Sequence, residues 1–189
     1  AGNKTAQGNT DENGIGDFYY SVPSGFLAFC SANLPETTLS PDKGEQATNY
    51  FSTKLYTGNG SSRSITGVGF QPDLSWFKSR SNASDHYWYD SIRGANKSLT
   101  SNKSVVEDTT SGQFTSFDSD GFTLPDDTAG YVNYNARTYV AWNWRLNGGT
   151  TSSDTNGTRT TTVQTNANAG ISIATYNNPS QGNHTFGHG

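Results

Sequence analysis

Nearly half of this chain is serine, threonine, asparagine or glycine, and no other feature limits its folding choices as much. The 189 residues hold 23 Ser, 25 Thr, 19 Asn and 21 Gly. Each of these is a weak helix former that favours turns, caps or extended chain. Long helices are therefore not expected. Short runs rich in Thr, Tyr, Phe and Trp, interrupted by Gly, Asn and Asp, have instead the composition of antiparallel β structure.

The aliphatic residues are scarce, with 5 Ile, 8 Leu and 7 Val. So little aliphatic area with a high net charge would suggest disorder. Here the formal net charge is only −4 and 15% of residues are charged. The 4 Trp, 10 Tyr and 10 Phe replace the missing area, since each large ring buries roughly 150–250 Å². The expectation is an all-β protein with an aromatic core, built as antiparallel β-sandwich modules of jelly-roll or lectin-like kind joined by polar linkers.

Several classes are disfavoured. Cys30 is the only cysteine, so no internal disulfide forms, and its run Phe26–Cys30 reads as a buried strand with Cys as a small hydrophobe. No apolar stretch approaches the length of a membrane span. Twelve Lys and Arg, placed singly in a chain with a pI near 5.2, make no basic patch, so nucleic acid is not an expected partner. The chain has no Met, and Ala1 is not expected to be the product of an initiator codon.

Composition along the chain suggests five segments. Residues 1–35 begin as a polar, glycine-rich loop and continue from Phe18 to Leu34 as two strands. Residues 36–49, which follow Pro35 and contain Pro41 with Glu, Asp and Lys, read as a linker. Residues 50–146 form a sandwich of about eight short strands with turn signals between them. Tyr50–Tyr56, Thr57-Gly58-Asn59-Gly60 and Ser64–Thr66 read as strand, tight turn, strand. Trp76, Trp142, Trp144, Phe117 and Phe122 are expected in its interior. Residues 147–169 are almost wholly small and polar and read as a second linker. Residues 171–189 match 51–69 in Ser, Tyr and two Gly positions, and 170–189 are expected to start a further β module.

No nucleophile elbow, triad or cofactor motif is present, so no catalytic residue, cofactor or metal site is expected. Asp118-Ser119-Asp120-Gly121 has part of a calcium-loop pattern but lacks its distal Glu. An Asp-Gly hairpin turn between Phe117 and Phe122 explains it better. The aromatic run His86-Tyr87-Trp88-Tyr89 sends alternate rings to opposite faces of a strand. If one face is core, the other displays rings. A glycan site within this chain would therefore use Tyr87 and Tyr89, or His86 and Trp88, with Asp85 or Asp90 beside them.

Three stretches carry a resemblance. Residues 16–35, GDFYYSVPSGFLAFCSANLP, resemble the closing strands of a SPRY or concanavalin-like lectin domain. Residues 67–80 (GVGFQPDLSWFKSR), together with 90–94 (DSIRG), 116–122 (SFDSDGF) and 138–144 (TYVAWNW), resemble a domain of undefined function that follows it. Both occur in tail-fibre-like virion structural proteins of marine and cyanobacterial tailed phages. The resemblance implies a truncated lectin-like domain at 1–35 and a non-enzymatic structural or adhesive role at the virion surface. Open sandwich edge strands and the low aliphatic content point to a homo-oligomer; the resemblance implies a trimer, beside other virion proteins, with host surface polysaccharide as a ligand. It brings no catalytic residues. A secreted carbohydrate-binding protein, a polysaccharide depolymerase and a subunit of a non-viral extracellular filament remain open.

Overall fold

The computed structural model describes residues 4–34, 44–110, 112–177 and 181–189. The chain divides into two compact units, Ala1–Thr37 and Thr38–Gly189. Most of the linker expected over 36–49 lies outside the described residues. Its end, Ala47–Asn49, is a single 3-10 turn.

The second unit is all-β. Its strands are β1 Phe51–Thr57, β2 Arg63–Thr66, β3 Leu74–Ser79, β4 His86–Asp90, β5 Leu99–Thr100, β6 Ser116–Asp118, β7 Gly121–Leu124, β8 Thr138–Trp144, β9 Ser152–Asp154, β10 Thr161–Asn166 and β11 Ile171–Thr175. They form a five-stranded sheet in the order β1-β8-β3-β4-β5 and two three-stranded sheets, β2-β7-β6 and β11-β10-β9. Every ladder within these sheets is antiparallel.

Alternation along the strands places the core. In β3, Phe77 is fully buried while its neighbours Trp76 and Lys78 are only half-buried. In β8, Tyr139, Ala141 and Asn143 are fully buried. The β2-β7-β6 sheet supplies the facing layer, where Phe122 and Leu124 of β7 are fully buried and Ile65 and Phe117 pack beside them. Phe77 meets Phe122 edge-on at 5.1 Å between ring centroids, and Tyr89 stacks on Phe114 at 4.9 Å. This is a β-sandwich with a core of rings, as two packed sheets require. Three of the five residues expected in its interior are not there. Trp76, Trp142 and Trp144 project from the opposite face of the five-stranded sheet, because the register puts Phe77, Ala141 and Asn143 toward the second sheet.

The turn after β1 does not make a hairpin. β2 leaves the first sheet to pair with β7, and the corner is held by Asn133, whose fully buried amide donates to the carbonyls of Ser61 and Pro125. Gly58 is required there, since a Cβ would lie 2.3 Å from the Tyr134 carbonyl oxygen. The β6–β7 hairpin expected at Asp118–Gly121 does form. Asp118 accepts the Ser116 and Thr123 hydroxyls. Asp120 accepts the backbone N–H groups of Gly67 and Gly69 and so pins the hairpin to the loop after β2. Gly121, at φ +148, leaves no room for a side chain, since a Cβ would come within 2.0 Å of the Ile65 carbonyl oxygen.

The stretch read as a polar linker over 147–169 instead supplies β9 and β10. Ile171–Thr175 complete that sheet as β11, and Phe186 bridges to Arg159 beside it, so the described residues of 170–189 belong to this sheet and do not open a separate module. Gly189 N–H donates to Asp154, and Arg159 and Phe186 form a parallel bridge. This small sheet is fastened to the sandwich through Asp73, which is fully buried. Its Oδ2 accepts the N–H of Leu146 and Gly148, and its Oδ1 accepts Gly149 N–H, the Ser91 hydroxyl and the Gln164 amide.

In the first unit, the two strands expected between Phe18 and Leu34 are absent among the described residues. Only an isolated antiparallel bridge joins Asn9 to Phe18. The unit is organised by the Asp11 carboxylate, which accepts the N–H of Asn13, Ile15 and Ala28 and the amide of Asn33. The hydrogen bond from Ala28, with smaller ones from Ile15, Asn33 and Asn13, holds the Asp11 carboxyl below its ordinary pKa against the cost of desolvation. With no sheet to lie on, Tyr20, Phe26 and Phe29 are exposed. Cys30 is only half-buried and precedes a 3-10 turn, so it is not the buried strand residue its neighbours suggested.

Candidate functional site

Three indoles lie side by side on the face of the five-stranded sheet that looks away from the sandwich core. Trp142 of β8, Trp76 of β3 and Trp88 of β4 are register partners on adjacent strands. Strand spacing alone sets them about 10 Å apart from first to last. Their ring centroids are separated by 4.8 Å for Trp76–Trp142 and 5.6 Å for Trp76–Trp88. Thr53 and Leu99 extend the same row on the outer strands. One row away, Phe51 packs on Trp144 at 5.1 Å; one row on the other side, His86 lies 6.1 Å from Trp76. All four Trp residues are half-buried. The indole N–H groups of Trp76 and Trp88 are enclosed without a hydrogen-bond acceptor.

The strand β11 borders this face at two places. A cavity of about 640 Å³ lies between Trp88, Leu74 and Leu99 on one side and Ile173, Ala174 and Tyr176 on the other. At its polar end Arg93 donates from Nε to Asp90 at 2.6 Å and from Nη1 to Glu107 at 2.9 Å. A smaller cavity, about 340 Å³, lies between Phe51, Trp144 and Tyr50 and the turn before β11.

The six residues singled out from the sequence fall on both sides of the sheet. His86 and Trp88 are on the outer face. Tyr89 is fully buried against Phe77 and Phe114, with its hydroxyl donating to Gln113. Tyr87 packs toward the same core and meets Tyr131 edge-on. The pair Tyr87 and Tyr89 is therefore not the displayed one, because the second sheet covers that face. Burial pushes the Tyr87 hydroxyl up to about 12 and raises Tyr89 well above its ordinary value. Asp90 is buried and committed to Arg93. Asp85 accepts from Lys103 and Asn102, and the Lys103 hydrogen bond foremost holds its carboxyl below the ordinary pKa.

Sequence reasoning had taken Trp76, Trp142 and Trp144 as core and had not singled out Arg93, Glu107 or Tyr176. The alternation of Tyr139–Trp144 held the signal for the indole row, but not which of the two faces was covered. The groove depends on contacts between residues 74–107 and 172–176, which no local pattern encodes. Among the described residues, no group of three or more His, Cys, Asp and Glu side chains is placed to hold a metal ion. No helix among them is long and apolar enough to cross a membrane.

No curated protein and no solved structure matches this chain. A model for a domain of unknown function, DUF7483, matches residues 46–189, which takes in every strand of the second unit. On that match the chain belongs to the DUF7483 family.

Proposed function

We propose that this chain is a non-enzymatic structural and adhesive segment of a phage tail fibre or related virion appendage, whose outer sheet face contacts host surface polysaccharide. The observation that carries the reading is the row Trp142–Trp76–Trp88, three indoles side by side on a sheet face that the sandwich core does not use. Flat aromatic surface beside hydrogen-bonding side chains suits sugar rings, which present apolar C–H faces and polar edges. The resemblance of residues 16–145 to virion structural proteins supports the assignment to an appendage. The edge strand β1, paired only with β8 among the described residues, supports chain-to-chain contact in a homo-oligomer, since an unpaired strand edge is a template for a neighbour.

Mass spectrometry of purified particles tests the virion assignment. Capsid and tail proteins are expected to accompany this chain, and its isolation without them would overturn the assignment. Incubation with host envelope glycan tests the adhesive, non-enzymatic role. Binding without cleavage is expected, and it is expected to weaken in Trp142→Ala. Release of oligosaccharides would instead identify a depolymerase.

A further inference from the structure

We infer that the groove between β4 and β11 is a subsite for an uncharged pyranose, with Trp88 and Tyr176 as its ring contacts and Arg93 and Glu107 as its polar end. The inference rests on the glycan-contact part of the proposed function and adds the site and the ligand class.

The groove's volume, about 640 Å³, falls within the range of small-molecule sites, which are mostly apolar with a few placed polar groups. Its apolar wall comes from Leu74, Trp88, Leu99, Ile173 and Tyr176. The polar end is built rather than incidental. Arg93 has a side chain only 13% exposed and is fixed by Asp90, at 5%, and Glu107, at 33%. Its Nη2 also donates to the Trp88 carbonyl at 3.3 Å, which ties the guanidinium to the strand that carries the ring.

A guanidinium has five N–H donors; Nε, Nη1 and Nη2 each give one, to Asp90, Glu107 and the Trp88 carbonyl, so one hydrogen on Nη1 and one on Nη2 remain. Glu107 engages Arg93 through Oε2, which leaves Oε1 as an acceptor. Two donors and an acceptor side by side match neighbouring sugar hydroxyls, each of which both donates and accepts. One guanidinium between two carboxylates leaves a local charge of −1. A uronate or sialic acid carboxylate brought here meets that charge, and Arg93 is the one cationic side chain among the described residues that line the groove, so the groove selects against acidic sugars.

The test is affinity electrophoresis of the full 189-residue chain in gels cast with a neutral glucan, a neutral galactomannan, or polygalacturonate. Retardation by at least one neutral polymer and none by polygalacturonate is expected. Tyr176 is 57% exposed and its ring also meets Phe186 at 3.9 Å; Tyr176→Ala, with an unchanged circular dichroism spectrum as the check on folding, is expected to weaken retardation about tenfold, the loss of one ring contact. Glu107→Gln, which neutralises the groove, is expected to admit polygalacturonate. Retardation by polygalacturonate in the parent, no retardation by either neutral polymer, or neutral binding unchanged in Tyr176→Ala would each overturn the subsite. If the parent still binds host glycan through Trp142 while Tyr176→Ala binds as well as the parent, the subsite fails and the adhesive reading stands. Loss of host-glycan binding altogether would remove both.

Discussion

The two faces of the five-stranded sheet are made by the same strands and differ in what covers them. The inner face carries Tyr56, Tyr139, Ala141, Phe77, Tyr87 and Tyr89, closed over by Phe122 and Leu124 of the second sheet. The outer face carries the larger rings, Trp142, Trp76, Trp88 and Trp144, yet leaves all of them half-buried. Ring size did not choose the core. The core formed where a second sheet was available, and the bigger hydrophobic surface was left accessible on the other side.

The strongest way to break this contrast is alkaline titration, because all four tyrosines with raised pKa lie on the inner face. Burial is the leading cause at Tyr56, Tyr87, Tyr89 and Tyr139. A folded pKa above the unfolded value of 10.0 contributes stability that is complete below pH 10 and is lost as pH rises through the folded value, about 12 for Tyr87. Unfolding between pH 10 and 12, followed by circular dichroism, is expected to coincide with the rise of tyrosinate absorbance. Independent tyrosinate formation in a protein that stays folded would contradict the inner-face assignment.

Phe122→Ala is expected to cost about 3–5 kcal/mol, since it empties the centre of a ring cluster with no room to collapse. Asp73→Ala is expected to cost about 2–4 kcal/mol, because it leaves five donors without their acceptor. Hydrogen exchange should then show faster exchange at Leu146, Gly148 and Gly149 than in the sandwich strands. Trp142→Ala removes a half-buried ring and is expected to cost only about 1–2 kcal/mol. Urea denaturation of the three variants gives this ranking directly. A Trp142 variant as unstable as the Phe122 variant would mean that the outer face is core as well.

Much of the sandwich was legible in the sequence. Leu74–Ser79, His86–Asp90, Gly121–Leu124 and Thr138–Trp144 are strands, and each has rings or β-branched residues between turn signals that local sequence shows. What alternation withholds is which face is covered. In His86–Asp90 both faces carry rings, and the choice was made by Phe114 and Phe122, distant in sequence. The segment 147–169 was illegible for another reason. The strand β10 buries Thr161 and Gln164, and their hydrogen bonds to Gly187 and Asp73 replace apolar contact. A reading based on hydrophobic pattern sees only a polar linker there. The indole row was visible as residues but not as a surface, because its exposure is a property of the finished sheet.

The place of β8 in the five-stranded sheet also governs when this protein can fold. It lies between β1 and β3 and joins them, and it reaches β1 across a wide gap, with the Asn143 amide bonded to the Ser52 carbonyl 91 residues away. Pairings of this separation are slow, since the loop must close before any contact repays it. During synthesis β1 is made before β8 and waits, without that partner, until residues 138–144 leave the ribosome. A cell producing many copies at once therefore holds a pool of unpaired β1 edges, each able to join the wrong chain. The interval between making β1 and making β8 sets how much of that product is lost.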